Sequence, residues 1–268
     1  MSPDLMFWLA LVLKMAVTAA FVVAASVVAE RSGPAVGSMI ATLPIAAAPS
    51  YVFLALDHDT AFIANSALGS LSANAVTGIF TLVYVIAAQR QPLPVSLAAA
   101  LVCWFGLAFA FSAVDWNIVS VVAFNVAVFA VCIPLVMQYC HVPMPRVSRQ
   151  WYDMPLRAGM VAGLVAIVVG TSNSVGPSVT GLLAVFPIVL TSLMLIFQPR
   201  IGGPATAALL ANTMWGLAGF SAALVVLYLA AIRFGTWPAY ALSLATSVLW
   251  NFAVWSVRRR LALRAAGG

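Results

Sequence analysis

The sequence predicts an all-α polytopic membrane protein with about nine transmembrane helices, built as two inverted four-helix repeats joined by a central helix. Three observations lead to this prediction. The chain of 268 residues is 64% hydrophobic and 7% charged, with a mean hydropathy of +1.10, whereas about a quarter of the residues of a soluble domain are charged. Its apolar residues form runs that are long enough to cross a bilayer. A stretch that begins with Gly-Pro occurs twice, 143 residues apart.

The apolar runs are nine in number, and each is expected to be helical because a lipid-exposed backbone must satisfy its own hydrogen bonds. Short polar connections separate them, except for one longer loop over 140–153 that divides the chain into halves. The predicted organisation is a first repeat over 1–114, a linking helix and loop over 115–153, a second repeat over 154–260 and a tail over 261–268. The nine predicted segments cover residues 5–29, 33–56, 60–88, 92–114, 116–139, 154–172, 176–197, 204–232 and 236–257.

The distribution of charge predicts the orientation of these segments. If the N-terminus lies outside, nine arginines fall on the inner side of the membrane and only Arg233 falls on the outer side. Basic residues collect on the cytoplasmic side of membrane proteins, so we expect a bacterial-type inner (plasma) membrane protein with a cytoplasmic C-terminus. The same rule accounts for the net charge of +6, and no nucleic-acid partner is predicted. The start of the chain lacks the basic region of a signal peptide, so the first segment is expected to stay as a helix.

The repeated stretch comprises residues 33–45 and 176–188, which both begin with Gly-Pro and reach a second proline ten residues after the first. The same offset relates Lys14 to Arg157 and Arg90 to Arg233. The first four segments would therefore recur as the last four, and a shift by five crossings inverts their direction. Inverted repeats of this kind are typical of secondary transporters. The alternative is chance similarity between helices rich in Ala, Val and Leu.

The second prolines of the two stretches, Pro44 and Pro187, are the first candidates for a binding site. Each lies about 16 Å into its segment at 1.5 Å per residue, near the middle of the hydrocarbon core. An interior proline removes a backbone hydrogen bond, and a broken helix persists at this depth only against protein or a water-filled cavity. We therefore expect paired half-helix ends that bind substrate. The alternative is an ordinary proline kink.

Two basic residues, Lys14 and Arg157, are candidates for substrate binding because a charge within a membrane segment is costly and is often functional. Both side chains are hydrogen-bond donors only, and the sequence shows no acidic residue deep in a segment to neutralise them. An anionic substrate or a lipid headgroup is therefore the expected partner. Lys14 could instead be held neutral by burial and act in proton coupling, and Arg157 could extend to the membrane interface.

Amides within the third and eighth segments complete the candidate site. Asn74 and Asn212 need hydrogen-bond partners in a hydrocarbon environment, whereas the serines and threonines around them are typical of close helix packing in lipid. Asn125 and Asn251 are weaker candidates. Asp57, His58 and Asp59 are metal-ligand types in a short loop, but no second cluster completes a coordination shell. No metal or cofactor is predicted.

The leading functional hypothesis is a secondary transporter or exporter of a small, anionic metabolite that works by alternating access about the paired prolines. Enzyme activity is not expected, because the only two histidines lie in loops and no catalytic motif or phosphate-cradling loop occurs. The first alternative is a translocase of lipid or polyprenyl phosphate, and the second is a membrane scaffold that does not transport. The expected partners are the small-molecule substrate and membrane lipid, and self-association as a homo-oligomer is left open.

Overall fold

A computed structural model describes residues 3–31, 47–142, 145 and 150–266 of the chain, and the first copy of the Gly-Pro stretch, with Pro44, lies outside them. Within these residues the chain forms nine helices and no strands. In chain order the helices are α1 (Pro3–Arg31), α2 (Ala47–Asp57), α3 (Thr60–Ala87), α4 (Leu93–Ser112), α5 (Ile118–Met137), α6 (Asp153–Ala184), α7 (Ile188–Ile201), α8 (Gly203–Phe234) and α9 (Thr236–Ala266).

Seven of the described helices are long and apolar enough to cross a membrane, and they indicate an integral membrane protein. These seven are α1, α3, α4, α5, α6, α8 and α9, each corresponding to one predicted segment. Neither of the other two predicted segments corresponds to a further long helix within the described part of the chain. The described part of the segment predicted over 33–56 is the short helix α2, and the segment predicted over 176–197 is divided between the end of α6 and α7.

The helices α3 and α8 pack against each other at the centre of the molecule, and α5 contacts both of them. In the most apolar window of α3, 72% of the residues are buried, whereas the corresponding windows of α1 and α9 are only 11% buried. The inner face of α3 is rich in alanine, serine and glycine, and small residues allow helix backbones to approach closely in lipid. The apolar outer surfaces of α1 and α9 are therefore expected to face lipid.

The helices α3 and α6 cross in backbone contact at two pairs of small residues. A Cβ atom added to Gly69 would lie 2.1 Å from the carbonyl oxygen of Ser178, and one added to Gly181 would lie 1.9 Å from that of Ser66. Only glycine fits such a separation, because ordinary contacts between carbon and oxygen atoms are longer than 3 Å. This crossing fixes the last turns of α6 against the central helix.

Candidate functional site

The helix of the second Gly-Pro stretch is broken at Pro187. The helix α6 ends at Ala184, Pro187 has a ψ of 49° outside the helical range, and α7 begins at Ile188. The amide groups of Val185 and Phe186 donate to carbonyl oxygens three residues earlier, at 3.4 and 3.0 Å. The chain therefore forms two half-helices at this point, and not one helix with a proline kink.

A second irregularity precedes the break, at the Gly-Pro pair that opens the stretch. Gly176 has a φ of 75° and a ψ of 174°, a conformation that glycine adopts at little steric cost. Pro177 then begins the short half-helix over 177–184, where a missing amide hydrogen costs least. The repeated Gly-Pro pair thus marks a structural boundary within α6.

Protein groups surround the broken ends. Phe186 packs edge-on against the indole of Trp104 in α4, with ring centroids 4.9 Å apart, and Trp104 donates to the hydroxyl of Thr77 in α3 at 3.1 Å. The last carbonyls of a helix have no partner within it, and one of these, on Gly181, accepts a hydrogen bond of 2.6 Å from Ser70. The break is therefore held between α3 and α4 in the interior of the helix bundle.

A hydrogen-bonded network around Asn74 joins the three central helices. The fully buried Asn74 of α3 donates to the carbonyl oxygen of Leu217 and to the hydroxyl of Ser221 in α8, both at 2.8 Å. Ser221 donates to the amide oxygen of Asn125 in α5 at 2.8 Å, and Asn125 donates to the carbonyl of Leu71 at 2.9 Å. The amide oxygen of Asn74 has no hydrogen-bond partner among the described residues. This acceptor could receive a hydrogen bond from a bound solute.

The predicted partner of Asn74 in this site, Asn212, lies elsewhere. Asn212 is exposed, donates to the carbonyl of Ala208 within its own helix at 2.9 Å, and accepts from Arg258 at 3.4 Å. The structure does not bring it to the network of Asn74. Sequence reasoning ranked Asn125 as a weaker candidate and treated Ser221 as a packing residue, although both contribute to this network. The available signal was the position of Asn125 in the middle of the central linking helix.

Lys14 has a counter-ion, so the prediction that no acidic residue neutralises it is wrong. Its ammonium group donates to the carboxylate of Asp57 and lies 5.8 Å from the centre of the Phe53 ring. Asp57 was assigned to a loop, but it is the last residue of α2. Since α2 packs beside α1, the carboxylate reaches the middle of α1.

Arg157 lies one helical turn after Asp153, near a second ion pair. Two nitrogen atoms of the Arg200 guanidinium donate to the two carboxylate oxygens of Asp153, and the guanidinium carbon lies 5.1 Å from the centre of the Tyr152 ring. Both members of this pair were assigned to loops, but Asp153 begins α6 and Arg200 is the penultimate residue of α7. A role for Arg157 in substrate binding stays a prediction.

The three residues that resemble metal ligands have protein partners. Asp57 pairs with Lys14. His58 lies 2.8 Å from the hydroxyl of Ser172. Asp59 caps α3 by accepting a hydrogen bond from the amide of Phe62 at 2.8 Å. These contacts give the cluster a structural role at the junction of α2 and α3.

A cavity of about 160 Å³ lies between α2, α8 and α9. Its walls are apolar except for the hydroxyls of two tyrosines and two serines, and two of its lining residues, Val52 and Leu244, are exposed on the outer surface. Its lining includes none of Lys14, Asn74 or Pro187. No protein-family model matches the chain, and neither a curated protein nor a solved structure is significantly similar to it. The functional conclusion therefore rests on the geometry.

Proposed function

We propose that the protein is a secondary transporter that moves a small metabolite across the membrane by alternating access, with a binding region between Asn74 and the break at Pro187. The break carries this proposal. Residues 153–175 would span about 34 Å as a helix and so cross the whole membrane. The half-helix over 177–184 would then lead about 12 Å back into the membrane. Pro187 would then lie near the middle of a hydrocarbon core about 30 Å thick, where broken helices are used to bind substrates and coupling ions.

The spacing of the helices supports two repeats on either side of α5. The helices α3 and α8 begin at Thr60 and Gly203, and α4 and α9 begin at Leu93 and Thr236. Both pairs are separated by 143 residues, which is also the offset of the Gly-Pro stretches. Asn74 contacts Leu217, the residue at the same offset. Contact between equivalent residues is expected where they lie beside an axis that relates two repeats.

The character of the site favours recognition of the metabolite by uncharged groups. Lys14 was the main basis for expecting an anionic substrate, and its charge is balanced by Asp57. The network around Asn74 instead offers amide, hydroxyl and carbonyl groups, with the oxygen of Asn74 as an unused acceptor. This oxygen is buried in the present conformation, so a metabolite with a hydrogen-bond donor would reach it only after the helices open. An anion would bind Lys14 only by displacing Asp57.

The apolar cavity favours a second candidate, a lipid translocase. Val52 and Leu244 line the cavity and are exposed at its edge, so an acyl chain could enter from the bilayer. A cavity of about 150 Å³ is large enough for a small apolar ring. Reconstitution with fluorescent phospholipids tests this candidate, because a translocase exposes inner-leaflet lipid to a quencher added outside and a metabolite transporter does not.

An uptake experiment in proteoliposomes tests the transporter proposal. Vesicles with and without protein are incubated with a mixture of small metabolites under a proton or sodium gradient, and their contents are identified by mass spectrometry. We expect the wild type to accumulate at least one compound. The substitution Pro187→Ala should reduce its uptake to background, since it favours a continuous helix. Pro134→Ala is the matched control, because α5 continues through this exposed proline. A wild type that accumulates nothing, or equal effects of the two substitutions, would contradict the proposal.

A further inference from the structure

Two ion pairs connect short helices to long helices in the two halves of the chain, and one member of each pair follows the repeat offset, whereas Lys14 corresponds to Arg157, one helical turn after Asp153. The first joins Lys14 in α1 to Asp57 at the end of α2, and the second joins Asp153 in α6 to Arg200 near the end of α7. Asp57 and Arg200 are separated by the repeat offset of 143 residues. The charges are exchanged, because the short helix carries the acid in the first pair and the base in the second.

The surroundings of the two pairs are also alike. The side chains of Lys14 and Asp57 are 19% and 33% exposed, and those of Arg200 and Asp153 are 17% and 15% exposed. In each pair an aromatic ring lies beside the cation, Phe53 beside Lys14 and Tyr152 beside Arg200. Partial burial strengthens the attraction between the charges, so both pairs are more than solvated surface contacts.

Each pair joins a short helix to the long helix that begins its half. The helix α7 follows directly on the break at Pro187, and Arg200 lies at the opposite end of α7 from that break. An ion pair at that end prevents the short helix from moving away from α6. The pair of Lys14 and Asp57 makes the same connection between α2 and α1.

We propose that the two ion pairs are latches that close the transport pathway on opposite sides of the membrane midplane and open one at a time. This inference rests on the proposed transport function. Between the end of α2 and the end of α7 the chain would cross the membrane five times, through α3, α4, α5, residues 153–175 and residues 177–201. Because this number is odd, the two pairs would lie on opposite sides. Both pairs are formed in this structure, which is then the conformation closed to both sides.

The test uses one reporter cysteine beneath each pair. Leu54 and Ile196 are both buried, at 0% and 3% exposure, and they lie three and four residues before the paired residues of their short helices. Leu54→Cys and Ile196→Cys are introduced separately after the native cysteines have been replaced by serine. A membrane-impermeant maleimide is then applied to vesicles of each orientation.

Neutralising one carboxylate should open one face only. We expect Asp57→Asn to raise the labelling of Leu54→Cys by roughly tenfold from one side, within the usual range of conformational coupling, and to leave Ile196→Cys protected. Asp153→Asn should do the reverse from the other side. Asparagine has nearly the shape of aspartate, so the fold is expected to persist, and the exchange Lys14→Asp with Asp57→Lys should restore protection in the first half.

The outcomes separate the latches from the transport function. Labelling that does not change in folded Asp57→Asn and Asp153→Asn proteins overturns the latches, as does labelling of both reporters from the same side. If the wild type still accumulates a metabolite in that case, the transport function stands without them. Side-specific labelling combined with no accumulation of any metabolite supports two gated faces and refutes the proposed transport.

Discussion

The substitution Gly181→Ala tests the close crossing of α3 and α6. The added methyl carbon would lie 1.9 Å from the carbonyl oxygen of Ser66, and 2.7 and 2.9 Å from the carbonyl carbon and the Cα atom of the same residue. All three are backbone atoms within a buried helix, so no side-chain rotation relieves the contact. The two helices would have to separate by roughly 1.5 Å to reach an ordinary contact distance.

The loss in the free energy of unfolding that this separation causes can be estimated from the contacts that it disturbs. Overpacking of a well-packed interior costs about 1–3 kcal/mol. Moving Gly181 away from α3 also weakens the hydrogen bond of 2.6 Å that Ser70 donates to its carbonyl, and hydrogen bonds between membrane helices contribute about 0.6 kcal/mol on average. We therefore expect Gly181→Ala to lower the free energy of unfolding by about 2–3 kcal/mol.

The matched control is Gly163→Ala in the same helix, where an added Cβ atom has nothing within 4 Å. Alanine is a better helix former than glycine by about 0.5–1 kcal/mol, so this variant should be as stable as the wild type or slightly more stable. The measurement is unfolding in mixed micelles with increasing denaturing detergent, followed by tryptophan fluorescence. Equal unfolding free energies for the two variants would refute backbone contact between α3 and α6.

Three further experiments test the polar contacts. A double-mutant cycle of Asn125→Ala and Ser221→Ala should give a coupling of about 0.6–1.7 kcal/mol, the range for hydrogen bonds between membrane helices, and additive effects would show that the network does not form. Lys14→Met should lower the thermal stability of the protein because it leaves Asp57 without its counter-ion. Adding Asp57→Leu should recover this stability. A further loss of stability in the double variant would show that the ion pair itself is required. Tyr84→Phe removes the hydrogen bond of 2.7 Å to Gln198 in α7, and hydrogen exchange should become faster within 188–201 but not within 177–184. A change of exchange in both peptides would show that the half-helices move together.

The long helices could be predicted because hydropathy alone determines which segments can cross a bilayer. The third segment, predicted over 60–88, is α3 (Thr60–Ala87), and the fourth, predicted over 92–114, is α4 (Leu93–Ser112). The predicted helix ends were wrong where hydropathy does not determine the backbone conformation. The sixth segment was expected to end at residue 172, but the helix continues to residue 175 before it is interrupted at Gly176, because hydropathy does not show whether the few residues before this glycine are helical.

The candidate site was only partly predictable, because its contacts are distant in sequence. Asn74 was identified correctly as a buried amide that needs partners, but those partners lie in α5 and α8, and their positions depend on how the helices pack. Asp57 was assigned to a loop because charged residues usually lie between membrane segments. Its pairing with Lys14, 43 residues earlier, follows from the packing of α2 beside α1.

The contacts on either side of Pro187 differ in kind, and this difference indicates which half-helix can move. The half-helix over 177–184 touches α3 through backbone atoms at Ser178 and Gly181, so even a small displacement would open a gap in the core. In contrast, α7 has polar contacts near its far end, from Gln198 to Tyr84 and from Arg200 to Asp153. Polar contacts can be exchanged for water or solute when a pathway opens, whereas lost backbone packing has no such replacement. Motion about the break is therefore expected in α7, with the half-helix before Pro187 fixed to the central helix.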